Sequence, residues 1–289
     1  MRRLIRFADA DGHVSVAIER EERGRFHAVL GTDDPLDVLV GAAAELDEAE
    51  PLAVDPETLA LGDGLRLLAP LDPPEVWCAG VTYERSRDAR MEESQSRDVY
   101  ADVYAAARPE LFLKDAACRR TVGPGAPIGI RGDSIWNVPE PEIGLVLGHR
   151  GSIVGYTIGN DVSSREIEGA NPLYLAQAKV YAGACAIGPA VYTPAHAPHG
   201  FEIAMRIVDS DGGVLFEDRT TTAQMTRTFE ELVAWLVRDN PIAAGTVLLT
   251  GTGIVPPDEV SIVPGQRVEI HVPEIGTLAN EVALASTLV

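Results

Sequence analysis

Val138-Pro139-Glu140-Pro141-Glu142-Ile143 places two glutamates two residues apart, just ahead of the apolar run Leu145-Val146-Leu147. Residues i and i+2 of an extended chain face the same side, so Glu140 and Glu142 present their carboxylates together. Like charges held that close repel each other unless a cation sits between them. A solvated edge strand stiffened by proline is the competing account, because carboxylates are usually exposed. A third acid shifts the balance. Gly155-Tyr156-Thr157-Ile158-Gly159-Asn160-Asp161 reads as an apolar strand that delivers Asp161 from the end of a buried element. Three carboxylates with no histidine or cysteine among them suit a hard cation that prefers oxygen, Mg2+ or Mn2+.

The basic side chains point to two further residues. Of 24, only Lys114 and Lys179 are lysines, and the rest are arginines. Coding bias accounts for most of such a skew, but arginine cannot replace lysine where a compact ammonium with an adjustable pKa is required. With 44 acidic residues the formal net charge is −20 at pH 7. A surface so acidic excludes nucleic acid as a partner and disfavours adsorption to a membrane surface. The 46% apolar share among 289 residues is enough for a substantial globular core. Cys78, Cys118 and Cys185 form no CxxC pair, which argues against structural zinc and for reduced thiols in a cytoplasm. Met1 to Phe7 lacks the apolar stretch of a signal peptide, and no run approaches the ~20 apolar residues of a membrane span. The expected location is cytoplasmic.

The elements that must hold these groups are mostly strands. Arg3 to Phe7 and His13 to Ile18 flank the turn signal Asp9-Ala10-Asp11-Gly12, and Arg25 to Leu30 is a third strand candidate. Pro35 to Leu46 reads as a helix. Three prolines in Ala69-Pro70-Leu71-Asp72-Pro73-Pro74 make a stiff connector, placing a small β-rich domain at 1–70 and a larger catalytic domain at 71–289. Beyond it, Val76 to Ala79, Leu111 to Leu113, Ile143 to Leu147, Ile153 to Ile158, Phe201 to Val208, Val214 to Glu217, Val247 to Leu249 and Val268 to Val272 are strand candidates. Tyr83 to Ala107 is charged and reads as helical or as a mobile lid. Met225, Phe229, Leu232, Val233 and Leu236 recur at helical spacing. The fold class is α+β and β-rich. No GxGxxG, P-loop, GxSxG or HExxH is present.

Taken in order from about residue 76 to residue 280, the motifs resemble the fumarylacetoacetate hydrolase family. They are Gly80-Val81-Thr82-Tyr83, Leu111-Phe112-Leu113-Lys114, the Glu140-Pro141-Glu142 pair, Gly155 to Asp161 continuing Val162-Ser163-Ser164-Arg165, Lys179 ahead of Gly188-Pro189, and Thr250-Gly251-Thr252-Gly253. Arg108-Pro109-Glu110-Leu111-Phe112, Asn171-Pro172-Leu173-Tyr174 and Ala178-Lys179-Val180-Tyr181-Ala182-Gly183 are similar to the family's 2-keto-3-deoxy-D-arabinonate dehydratase branch. The resemblance implies a mixed β-sandwich or roll carrying the catalytic site, a small N-terminal β-rich domain, and assembly as a homodimer or homotetramer. It implies Mg2+, with Mn2+ or Ca2+ as alternatives, held by Glu140, Glu142 and Asp161, and an acid and base pair made of Glu110 and Lys179.

The family's carbon-carbon hydrolases carry a histidine just after the position of Tyr83, paired with a glutamate to activate water. Here that stretch reads Tyr83-Glu84-Arg85-Ser86-Arg87-Asp88, and no histidine occurs between His27 and His149. The reading is therefore a dehydratase whose small-molecule substrate is a 2-keto-3-deoxy-pentonate and whose product is 2,5-dioxopentanoate. Lys179 takes a C3 proton and Glu110 protonates the departing C4 hydroxyl, or the roles are reversed. A hydrolase acting on an acylpyruvate or diketo acid is the alternative, and a non-catalytic acidic metal-binding module stands against both. Lys114 either contacts a metal-site water or the substrate carboxylate, or is neutralised by structural carboxylates. Arg119 and Thr252 are candidates for binding the substrate carboxylate, and Tyr83 for reaching the site from the lid.

Overall fold

Alternating polarity on either side of Asp9-Ala10-Asp11-Gly12 folds strand β1 (Arg2–Ala8) back on β2 (Val14–Glu19), with Gly12 at φ 86° in the turn. The computed structural model describes residues 2–20, 22–41, 48–62, 64–93 and 97–289. In chain order there follow β3 (Arg25–Val29), α1 (Pro35–Leu39), β4 (Glu48–Ala53), β5 (Arg66–Leu67), β6 (Glu75–Gly80), α2 (Glu84–Glu93), α3 (Arg97–Ala105) and β7 (Glu110–Ala116). Next are β8 (Thr121–Val122), β9 (Ile128–Ile130), β10 (Asn137–Val138), β11 (Pro141–Leu147), β12 (Ile153–Asp161), β13 (Ser163–Ser164), α4 (Arg165–Ala170) and α5 (Leu175–Lys179). The chain closes with β14 (Cys185–Thr193), β15 (Glu202–Val208), β16 (Val214–Thr221), α6 (Phe229–Leu236), β17 (Val247–Leu249), β18 (Arg267–Val272) and β19 (Gly276–Leu284).

Among the described residues twelve strands form one sheet, in the order β4-β3-β2-β1-β14-β12-β11-β17-β6-β7, with β5 on β1 and β8 on β14. The pairing of β1 with β14 carries this sheet from the N-terminal strands into the rest of the chain, past the proline connector. A second sheet, β16-β15-β18-β19-β9, packs against it, and β10 pairs with β13. Ile143, Leu145 and Leu147 of β11 face Ile203, Met205 and Ile207 of β15 and Val268, Ile270 and Val272 of β18 in the main core. The alternate residues of β11 turn the other way, where Val146 joins Val76, Cys78, Ile187 and Leu249 in a second cluster. Glu142 shares that second face. The β-rich architecture expected from the sequence is what forms.

Four local departures have physical causes. The helix at Pro35 stops at Leu39, because Gly41 at φ 73° turns the chain out of it; residues 42–46 of the expected helix lie outside the described residues. The charged stretch from Tyr83 to Ala107 forms two helices, α2 and α3, with residues 94–96 outside the described residues. Helix α6 starts at Phe229 rather than near Met225, since the Thr228 side chain accepts from the Glu231 N–H at 3.1 Å and caps it. Met225 instead bridges to Tyr83. Strands β14 and β19 were not expected: Gly188-Pro189 interrupts the pattern of the first, and Gly276 and Asn280 fill buried positions of the second. Among the described residues no helix is long and apolar enough to cross a membrane, and all three cysteines are free.

Strand directions gather the site. Strands β6 and β17 run parallel, so both C-terminal ends, at Gly80 and Thr250, lie at one end of the sheet. Strand β11 runs antiparallel to β17 and starts at that end, β12 finishes there, and β7 starts opposite Gly80. Gly159 lies opposite Glu142 across the β11–β12 ladder, and a Cβ there would overlap the Leu249 side chain. Gly159→Ala is expected to lower stability by about 1–3 kcal/mol through overpacking, measured as an earlier urea midpoint with unchanged slope.

Candidate active site

The backbone brings the three predicted metal ligands together before their side chains are considered. The Asp161 N–H donates to the Glu140 carbonyl at 3.0 Å, and the Glu140 N–H donates to Asn160 Oδ1 at 3.1 Å. Glu142, two residues on, shares the face of Glu140. One carboxylate oxygen from each of Glu140, Glu142 and Asp161 lies within 4.8 Å of the others. All three residues are buried, so the solvated edge strand is excluded: β11 lies between β12 and β17.

These carboxylates line a cavity of about 20 Å³ together with Gly80, Arg90, Glu110, Phe112, Glu168, Lys179, Gly251 and Thr252. Lys179 ends the short helix α5 and reaches Glu140 Oε2 at 2.6 Å and Asp161 Oδ2 at 3.0 Å. Burial alone would lower its pKa, as expected of a lysine in a dry site. The Asp161, Glu140 and Glu168 carboxylates outweigh that effect and hold its ammonium well above the ordinary value. Glu110 opens β7, with its carboxyl packed against Gly80, where a Cβ would overlap it. Burial first, and then the charge of Glu168, push Glu110 up to about 7. A group so placed holds or releases a proton near neutral pH, as an acid catalyst must.

The remaining sequence candidates divide. Lys114, fully buried, donates to the Val162 carbonyl at 2.9 Å and pairs with Asp161 Oδ1. It therefore stands behind Asp161 and outside the cavity wall. Thr252 lines the cavity, but its hydroxyl is engaged with the Ile254 backbone, accepting from N and donating to O at 3.2 Å each. Arg119 does not reach the cavity. It follows the far end of β7, is exposed, and donates to the Ala116 carbonyl at 3.3 Å, a strand length from Glu110. Tyr83 also misses the wall: its backbone bridge to Met225 turns the ring inward against Gly253, and it is 2% exposed.

A charged network that the sequence reading did not single out surrounds the triad. Arg90 of α2 pairs with Glu140, and with Glu93 and Glu168 at 3.2 Å each. Arg165 of α4 pairs with Glu140 at 3.0 Å and also with Glu93. Spacing could have found Arg90, which stands three residues from Glu93 on one side of a short helix. Six carboxyl groups, those of Glu93, Glu110, Glu140, Glu142, Asp161 and Glu168, meet four cationic side chains, those of Arg90, Lys114, Arg165 and Lys179. Fully ionised, they leave an excess of two negative charges. Glu142 feels it most. Among the described residues its hydrogen-bond partner is the Gly251 N–H, at 2.6 Å, and no basic side chain pairs with it. Burial, and then Asp161 and Glu140, push its carboxyl well above the usual range. An all-oxygen donor set with two charges unmet fits a divalent cation such as Mg2+. Gly251 sits at φ 90°, and a Cβ there would overlap Thr82, so the turn that supplies its N–H depends on glycine.

Comparison with known proteins agrees with this geometry. A 2-keto-3-deoxyxylonate dehydratase, described as probable, of Haloferax volcanii is 54% identical over 215 residues, covering 74% of this chain and 73% of its own. The 2-dehydro-3-deoxy-D-arabinonate dehydratase of Saccharolobus solfataricus is 45% identical over 224 residues, 75% of this chain and 74% of its own. The structure of 2-keto-3-deoxy-D-arabinonate dehydratase complexed with magnesium and 2,5-dioxopentanoate superposes with a TM-score of 0.85 at 37% identity, covering 98% of this chain and 99% of the other. Residues 75–283 match the family model described as fumarylacetoacetate (FAA) hydrolase C-terminal, and the chain belongs to the fumarylacetoacetate hydrolase family.

Proposed function

We propose that the protein is a Mg2+-dependent dehydratase that converts a 2-keto-3-deoxy-pentonate, of the D-arabinonate or D-xylonate type, to 2,5-dioxopentanoate. The observation that carries the reading is one buried cavity lined by three ligand carboxylates, Lys179 and Glu110, with no histidine on its wall. The dehydratases above, similar over three quarters of the chain, support the substrate class. A hydrolase on the family plan needs its histidine, and none of the six lines this cavity.

Glu140, Glu142 and Asp161 would hold the cation, which supplies Lewis-acid stabilisation of negative charge at the 2-keto oxygen of the substrate. Lys179 is the base for the C3 proton. It hydrogen-bonds both Glu140 and Asp161, so it releases its own proton only when those carboxylates have another partner. Phe112, with its ring centroid 5.7 Å from Lys179 Nζ, limits water on that side. Glu110, held protonated by burial, gives its proton to the C4 hydroxyl, which leaves as water. A proton shift from C5 to C3 then gives the enol across C4 and C5, and transfer of the enol hydroxyl proton to C4 yields the aldehyde at C5, so the net change is loss of one water. The protein acts in the cytoplasm as a homodimer or homotetramer, with residues 1–70 as a small domain beside the catalytic one. Ile135 and Leu173, 87% and 88% exposed, are apolar side chains that such an assembly would cover.

Incubation with 2-keto-3-deoxy-D-arabinonate and Mg2+, coupled to a semialdehyde dehydrogenase, is expected to yield the coupled signal. Cleavage of an acylpyruvate without that signal would replace this reading by the hydrolase. Lys179→Ala and Glu110→Gln are each expected to lower kcat by roughly 100-fold or more, and full turnover by either would remove it from the mechanism. Lys179 must lose its proton to act as the base, so kcat/KM should rise with pH at first, and because the acid form of Glu110 is the active one and its pKa is about 7, a limb that bends the profile downward should appear as pH rises through that value. Glu110→Gln should lack this limb. Calorimetric titration of Mg2+ should show binding to the native chain and at least a tenfold loss of affinity in Glu142→Gln, with activity lost on chelation and restored by added Mg2+.

A further inference from the structure

The mechanism above leaves one buried acid of the cavity without a task. Glu168, on α4, is 5% exposed and lines the same wall as Glu110 and Lys179. Its Oε1 pairs with Arg90 Nε at 3.2 Å. Its Oε2 is buried and has no hydrogen-bond partner among the described residues. A dry, unpartnered carboxylate oxygen is costly. Arg90 does not need it for neutralisation, since Glu93 and Glu140 already bind that guanidinium.

The two acids facing the cavity are in opposite states. Burial opposes charge on Glu168, but Arg90, then Lys179 and Lys114, outweigh it and hold the carboxyl below its ordinary range. Glu110 is pushed the other way. One wall residue is thus a proton donor and the other an acceptor only, a division that neighbouring carboxyl groups adopt when their environments differ. In a 2-keto-3-deoxy-pentonate the carboxylate and keto oxygens would face the cation site and the C4 hydroxyl would face Glu110. The one polar group left is the hydroxyl at C5, and among the described residues on the wall Glu168 Oε2 is a buried carboxylate oxygen without a hydrogen-bond partner. We infer that Glu168 accepts a hydrogen bond from the C5 hydroxyl and is the residue by which the site selects a hydroxylated tail over an apolar one. This assignment rests on the dehydratase reading. Ser86 of α2, also 5% exposed, adds a polar group to the same cavity.

The test compares 2-keto-3-deoxy-D-arabinonate with 4-hydroxy-2-oxopentanoate of the same C4 configuration, which retains the leaving hydroxyl and lacks only the one at C5. The ratio of kcat/KM for the two substrates is the readout. A site built to bind a hydroxyl should prefer the pentonate strongly, and Glu168→Gln should lower that preference by about tenfold or more, chiefly through KM of the pentonate. Should Glu168→Gln fail to fold, Glu168→Asp keeps the charge for Arg90 while withdrawing the acceptor, and the same fall is expected. An unchanged preference, or an equal loss on both substrates, overturns the inference and leaves Glu168 as a partner of Arg90 alone. Wild-type protein that dehydrates neither compound would instead overturn the dehydratase reading and this inference with it.

Discussion

Burying more carboxylates than cations at one end of a sheet is the constraint from which the rest of the structure follows. A charge removed from water must find a partner or give up its ionisation. The chain uses both outcomes within one cavity. Asp161 is kept ionised by two lysines against the pull of burial, whereas Glu142, with one backbone N–H for company, is pushed towards its neutral form. The site is therefore short of positive charge by design of its residues, and a divalent cation is what completes it.

Holding such a cluster demands rigid supports, and the sheet supplies them. The three clustered carboxylates come from the start of β11 and the end of β12, central strands paired on both sides, so neither can shift without breaking a ladder. The proposed acid and base come from elements at the margin: Glu110 from β7 at the end of the sheet and Lys179 from a five-residue helix. Support is thus firmest for the carboxylates proposed as metal ligands and relaxes towards the groups proposed to move protons.

Much of this was legible in the residues. The i and i+2 spacing of Glu140 and Glu142 placed both on one face, and the turn and alternation around Asp9 to Gly12 set the first hairpin. Asp161 followed from an apolar run ending in an acid. Other features were hidden because their signals are not local. Whether Glu140 and Glu142 were solvated or buried depended on the strands beside β11, which no local pattern states. Strand β19 uses glycine and asparagine at inward positions, so its periodicity does not register as apolar alternation. Arg119 has the side chain of a substrate ligand, but the seven residues of β7 separate it from the end of the strand where the cavity lies. Arg90 and Arg165 do not stand out among many arginines: Arg90 has one acidic partner three residues on, Glu93, but Arg165 pairs with Glu93 and Glu140, both far away in the chain.

The small volume of the cavity has a kinetic meaning. About 20 Å³ accommodates little more than one water molecule, and a five-carbon acid is several times larger. The wall on the α2 side is held by Arg90, through its bonds to Glu140 and Glu168. A five-carbon acid fits only where the wall gives way, and the Arg90 bonds are among those that hold it. The cost of any such opening falls on a helix that carries none of the groups proposed to react, so it is a step separate from the movement of the C3 proton.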